Sequence, residues 1–198
     1  MEIARAAAGL FVSRGLKATR AEDIAQAAGC APRTFYRYFA TKEEAVAPLY
    51  AAGAQRWAEA VREAPAALSV PEALEHAVRH TLTPGKAVSA ASWEWVRALV
   101  RLAGTSPALG KVWAEVCHES ERALAEILAG RATGGGPDNV AADSPELRFT
   151  AAVAGAAVRV AVESWAAGSA PPSGPEGPAA LALRNLEALR GFSWPGAS

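Results

Sequence analysis

The chain has 198 residues, 51% of them hydrophobic and 20% charged, with 20 basic and 20 acidic side chains. That apolar share supplies a sizeable core and excludes extended disorder, while neutrality offers no whole-chain reason to bind nucleic acid or a membrane surface. Cys30 and Cys117 lack the CxxC spacing of a zinc or redox motif, and the opening stretch carries no compact apolar block of a secretory signal. A disulfide framework is therefore not expected, and the cytoplasm is the expected compartment.

Helical periodicity runs through the chain and strand-like alternation is nearly absent. Ile3, Ala6, Ala7, Leu10 and Phe11 trace one buried face of a first helix that ends at Gly15. Thr19, with Glu22 three residues on, predicts a capping box opening a second helix. That helix turns Ile24, Ala25 and Ala28 inward and stops at Gly29, which tolerates the positive φ of a sharp turn. Pro32 suits the first turn of a third helix ending near Phe39, and Thr41 with Glu44 predicts another capping box. Longer helices follow at about 42–63, 71–82, 87–103, 107–130, 146–167 and 178–190. "GRATGGGPDNVAADSP" and "APPSGPEGP" are the loops flanking the 146–167 helix, and the triple glycine lacks the Lys-Ser/Thr of a phosphate-binding loop. The apolar run within 150–167 is interrupted by Arg159 and Glu163, so it does not read as a membrane span. The expected fold is all-α, with about nine helices.

Helix, glycine turn, helix over residues 20–39 is the pattern of a helix-turn-helix, whose second helix lies in the DNA major groove. The run "GCAPRTFYRYF" at 29–39 fits that role. Phe35 and Phe39, four apart, share a face that can pin the helix to Leu10, Phe11 and Ile24. Arg33, Tyr36 and Arg37 fall on other faces, where guanidinium and phenol groups can meet phosphates and base edges. Residues 1–45 also hold seven cations (Arg5, Arg14, Lys17, Arg20, Arg33, Arg37, Lys42) against five anions (Glu2, Glu22, Asp23, Glu43, Glu44), a mild bias.

The stretch "LFVSRGLKATRAEDIAQAAGCAPRTFYRYFATKEEAV" resembles the DNA-binding head of the TetR family of transcriptional regulators, and the likeness covers about residues 3–50. The resemblance implies an all-helical homodimer: a helix-turn-helix head at 1–45 and a variable ligand-binding and dimerisation body at 46–198. It further implies a repressor released from a palindromic operator by a small molecule, with no cofactor. Carried over residue by residue, Tyr36 matches a phosphate-contacting tyrosine and Lys42 a phosphate-contacting lysine. Arg33, Thr34 and Arg37 match positions facing bases or nearby phosphates, and Thr19 and Arg20 match the phosphate-facing start of the second helix. Three departures stand out: Ala31 where a Ser or Thr cap is common, Arg20 where Thr is common, and Met1 almost inside the first helix, where a basic arm is usual. Without that arm, affinity and salt dependence should be lower.

In the body, Trp57, Trp93, Trp95 and Trp113 fall on three helices, and Trp113, Val116, Cys117, Ser120, Leu124 and Ile127 trace one inward stripe. Ordinary core packing accounts for such tryptophans. A mostly apolar ligand pocket with a few polar handles accounts for them too, with Trp57, Trp93, Trp113, Cys117 and Ser120 as candidate lining and an apolar or aromatic ligand, an acyl chain included. His76 and His80 have the i, i+4 spacing of two metal ligands but no third in sequence, and Cys117 and His118 point about 100° apart on a helix. No metal or catalytic residue is therefore assigned. The last two helices, rich in small residues and carrying Leu183, Leu186 and Leu189, suit a four-helix dimer interface, with Arg159 and Glu163 pairing on that surface. The expected partners are an operator duplex, a small-molecule inducer and a second copy of the chain, with no membrane. The alternatives are a small-molecule binding protein with weakened DNA binding, or a metal-dependent enzyme.

Overall fold

The structure, a computed structural model, describes residues 1–85, 90–132 and 144–191. These form nine α-helices and one 3-10 turn, with no strand among the described residues. The all-α expectation holds.

Helix α1 (Glu2–Arg14) ends at Gly15, whose φ of 82° lets its N–H reach back to the Phe11 carbonyl at 3.1 Å. Helix α2 (Ala21–Ala27) follows, but its cap lies one residue later than the Thr19–Glu22 spacing predicts. Asp23 accepts from the Arg20 backbone N–H at 2.8 Å, and arginine, having no acceptor, cannot return the bond. Thr19 is only 1% exposed, and its hydroxyl donates to the Gly15 carbonyl at 2.9 Å, so it closes the preceding turn instead of capping the helix. Gly29 takes φ 66°, and α3 (Pro32–Tyr38) starts without a side-chain cap at Ala31.

The second expected box is also displaced. The Glu44 N–H donates to the Thr41 hydroxyl at 3.3 Å, yet the Glu44 carboxylate accepts from the Ala40 N–H at 2.9 Å. A 3-10 turn at Glu44–Val46 results, and α4 (Ala47–Arg62) begins five residues later than expected, with Pro48 in its first turn. Proline has no N–H to give, and the first turn is where a helix loses nothing by that.

Helix α5 (Val70–Thr81) opens where the Glu72 carboxylate reaches back to accept from the Ser69 N–H at 2.8 Å and from its hydroxyl at 2.7 Å. Those bonds hold the Glu72 carboxyl below the usual carboxylate range. Then come α6 (Ala90–Thr105), α7 (Pro107–Ala132), α8 (Pro145–Ala167), capped by the Ser144 hydroxyl on the Leu147 N–H, and α9 (Pro178–Ala188).

One core gathers α4, α5, α7, α8 and α9 around Val61, Leu74, Leu124, Leu128 and Leu147. A second runs from Phe11, Ile24 and Phe35 through Val46 and Tyr50 to Leu99, Leu109, Val112 and Val116, so the first three helices share their core with α6 and α7. A third joins α6 and α8 through Trp93, Val100, Val162 and Trp165. Beside it, Arg97, 7% exposed, stacks its guanidinium 4.3 Å from the Trp165 ring centroid and donates to the Gly168 carbonyl at 2.9 Å and to that of Ala170. Arg101 adds donors to the Ala166 and Gly168 carbonyls. Two arginines of α6 thereby satisfy the carbonyl end of α8, which the helix itself leaves unpaired. No helix of the described residues is long and apolar enough to cross a membrane.

Candidate nucleic-acid interface and body cavity

Helix α3 is divided as its spacing predicts. Phe35 is wholly buried and Phe39 partly so, their ring centroids 5.5 Å apart, while Arg33, Tyr36 and Arg37 stand exposed and Thr34 is half-buried. Arg20, at the start of α2, is also exposed. Arg37 lies 5.0 Å from the Tyr38 ring centroid and donates to the Tyr38 hydroxyl at 3.3 Å. Tyr38, 63% exposed, thus joins the face although the sequence reading did not select it. Its signal was the i, i+4 step from Thr34.

Two selected residues turn inward. Thr19 is buried, and so can serve a duplex only through its backbone. Lys42 donates from its ammonium to the Leu16 carbonyl at 2.7 Å and the Thr19 carbonyl at 2.8 Å, tying the chain after α3 to the link between α1 and α2. Lys42, matched to a phosphate-contacting lysine by the resemblance, is also a tether here, and its ammonium lies 4.0 Å from the Glu43 carboxylate.

An open concavity of about 550 Å³ lies between α2 and α3, bordered by Lys17, Arg20, Tyr36 and Lys42. Glu22 also borders it, unselected by the sequence reading. Its carboxylate accepts from the Tyr36 hydroxyl at 3.1 Å, a bond that holds the phenol neutral and pushes its pKa up.

In the body, a cavity of about 720 Å³ is walled by α1, α4, α6, α7 and α8, and Trp57, Trp93, Trp113, Cys117 and Ser120 all line it. Tyr50 and Trp95 add to the aromatic wall, and Arg5 and Ala8 of α1 reach it from the head. The α7 stripe divides: Trp113, Val116, Cys117 and Ser120 face the cavity, whereas Leu124 and Ile127 pack in the first core. The Tyr50 hydroxyl donates to the Leu99 carbonyl at 2.8 Å, and the Trp113 indole donates to Glu163 at 2.7 Å. Arg159 lines the cavity and pairs with Glu163 at 3.3 Å, both side chains being more than a third exposed. The indole N–H groups of Trp57 and Trp93 are buried without a hydrogen-bond partner among the described residues.

Burial pushes the Cys117 thiol up to about 12, which leaves it a poor nucleophile near neutrality. His76 and His80 are exposed, and His118, also exposed, lies 3.8 Å from Glu121. Among the described residues no group of three or more His, Cys, Asp and Glu could hold a metal ion.

Comparison with known proteins follows the same division. Residues 3–47 match the family model of bacterial regulatory proteins of the tetR family, and residues 68–173 match that of the MftR C-terminal domain. The HTH-type transcriptional regulator TcmR of Streptomyces glaucescens is 32% identical over 170 residues, spanning 83% of this chain and 71% of that protein. Among solved structures, the Thermus thermophilus TetR-family repressor FadR, in complex with lauroyl-CoA, aligns at TM-score 0.59 and 25% identity, covering 99% of this chain and 96% of that one. The TetR-family repressor AlkX of a Dietzia strain, implicated in n-alkane biodegradation, aligns at TM-score 0.56 and 20% identity, with 97% and 96% covered.

Proposed function

Because the chain belongs to the TetR family, whose members are DNA-binding transcriptional regulators and not enzymes, we propose that it is a dimeric repressor released from its operator by a small ligand held in the body cavity. Residues 1–45 grip DNA; residues 46–198 hold the ligand and the second subunit. The observation that carries the reading is the position of the cavity. The five side chains that sequence alone selects share a cavity whose walls include α1 of the head and α4, the helix that leaves it.

Ligand in that space would press on α1 through Arg5 and Ala8 and on α4 through Tyr50 and Trp57. Two heads matched to successive turns of a palindromic operator would lose their spacing if those helices shifted. The tryptophan-rich wall favours an apolar or aromatic ligand, and the lauroyl-CoA bound by FadR makes an acyl chain a natural first candidate. For the dimer, α8 presents Phe149 at 58% and Val160 at 44% exposure, eleven residues apart and so on one helical face, as a self-complementary apolar surface would need.

The test uses full-length protein: capture and footprinting of genomic DNA, then titration with medium-chain acyl-CoA and planar aromatic compounds while tryptophan fluorescence is followed. The reading expects a protected two-fold site and its release at the ligand concentration that quenches tryptophan. A ligand that saturates the cavity and leaves the footprint intact overturns it.

A further inference from the structure

We propose that Glu22 is an affinity-setting residue, which holds the Tyr36 hydroxyl in the DNA-free head and thereby lowers phosphate-driven binding to DNA. The inference rests on α3 facing the duplex. The concavity between α2 and α3 is bordered by the cations Lys17, Arg20 and Lys42, and Glu22 supplies the one carboxylate of its lining. That carboxylate is bonded to the Tyr36 hydroxyl at 3.1 Å, and the phenol, half exposed, packs its ring edge-on against Phe35 at 5.4 Å between centroids.

A phosphate entering this concavity meets two obstacles. The hydroxyl that would donate to it is already donating to Glu22, and the carboxylate repels it. Non-specific DNA binding is driven almost wholly by phosphates, so it bears this penalty in full. Binding at an operator bears the same penalty but gains base contacts from Arg33 and Arg37, which random sequence does not return. Being common to both complexes, the penalty cancels from the ratio of the two affinities; what it changes is the absolute affinity, which falls for random DNA while the base contacts keep the operator bound. Tyr36 would act as a switchable donor, bonded to Glu22 in free protein and to phosphate on a matched site.

The test is fluorescence anisotropy of full-length protein with a labelled random-sequence duplex over a salt series. Wild type is compared with Glu22→Gln, Glu22→Asp, Tyr36→Phe and the Glu22→Gln/Tyr36→Phe double variant, each checked for helicity. Glu22→Gln should tighten random-duplex binding roughly three- to tenfold, the range of one net hydrogen bond. That gain should shrink, to the part due to lost charge repulsion, when Tyr36 is phenylalanine. Glu22→Asp keeps the charge and the helix-start preference but shortens the reach, so it should give a smaller gain of the same sign, and it decides the matter if Glu22→Gln does not fold. No gain in either carboxylate variant overturns the proposal, as does a gain that persists unchanged without the Tyr36 hydroxyl. If no variant, wild type included, binds any duplex at low salt, the DNA-facing assignment of α3 falls instead.

Discussion

The ammonium of Lys42 donates to the backbone carbonyl of Thr19 at 2.8 Å, and to that of Leu16 at 2.7 Å, across more than twenty residues of chain. A charge-assisted bond to a half-buried carbonyl contributes about 1.5–3 kcal/mol, at the lower end where water still reaches it. Lys42→Ala should therefore lower stability by about 2 kcal/mol, or the melting temperature by about 4–8 °C. DNA affinity should fall with it, because the turn before α2 loses its fixed position. A variant that melts normally yet binds DNA poorly would make Lys42 a phosphate contact first and a tether second.

The exposed face of α3 makes the opposite prediction. Arg33→Ala and Arg37→Ala should each weaken operator binding by about 1–3 kcal/mol while leaving thermal stability within about 0.5 kcal/mol, because these side chains support no core. Tyr38→Ala should weaken binding as well, since its ring and hydroxyl orient the Arg37 guanidinium. Gel shifts and melts on the same preparations check both halves. Unchanged affinity for both arginine variants would remove α3 from the groove.

These residues also mark how far the sequence was legible. Local patterns were: Phe35 and Phe39 share a face because they are four apart, and Trp113, Cys117 and Ser120 line one cavity because their spacing is helical. Contacts made through distant chain were not. Nothing local indicates that Lys42 bonds carbonyls 23 and 26 residues earlier, or that Glu22 meets Tyr36 fourteen residues on. Spacing showed that Arg159 and Glu163 would pair but not that Glu163 would also accept from the Trp113 indole of α7, fifty residues earlier. Helix caps were shifted by one residue for a related reason. Thr19 and Asp23 compete for the start of α2, and burial of Thr19 decides the contest.

Among the described residues the buried Arg97 pairs with no carboxylate and is balanced by the Trp165 ring and the carbonyl oxygens of Gly168 and Ala170. Arg97→Ala should remove part of the cap of α8, leaving Gly168 to Arg101 and Ala170 to the Trp165 indole alone, and should remove the stacking on the Trp165 ring, a loss of about 2 kcal/mol. Arg97→Lys should recover only part of it, because an ammonium can neither stack as a plane nor fork onto two oxygens. Urea titration of the three proteins checks the order. Equal stability of the alanine and wild-type chains would show the cluster to be passive.

Trp113 and Glu163 join α7 to α8 through one bond of 2.7 Å, with Arg159 on the other side of the carboxylate. Glu163 is more than a third exposed, so the coupling should be modest. A double-mutant cycle of Trp113→Phe and Glu163→Ala should return about 1 kcal/mol of interaction energy. Trp113→Phe should also weaken binding of an aromatic probe to the cavity, whose wall loses its indole face there. Additive effects on stability would mean that the bond contributes nothing beyond packing.

Cys117 reports on the same cavity through its chemistry. Its ordinary thiol value is 9.0, and burial beside the cavity raises it to about 12, because the apolar surroundings disfavour the thiolate. At pH 8 the thiolate is then about one part in ten thousand, so alkylation in a Cys30→Ser background should be slow and should accelerate about tenfold for each pH unit up to about pH 10. The sign for stability follows from the same shift. An unfolded chain ionises its thiol near 9.0 and the folded one does not, so raising the pH through that value favours unfolding and never folding. Ligand filling the cavity should slow alkylation further, since Cys117 lines its wall. Rapid labelling at pH 8, indifferent to both pH and ligand, would place the thiol outside the cavity and remove one of the five residues on which its assignment stands.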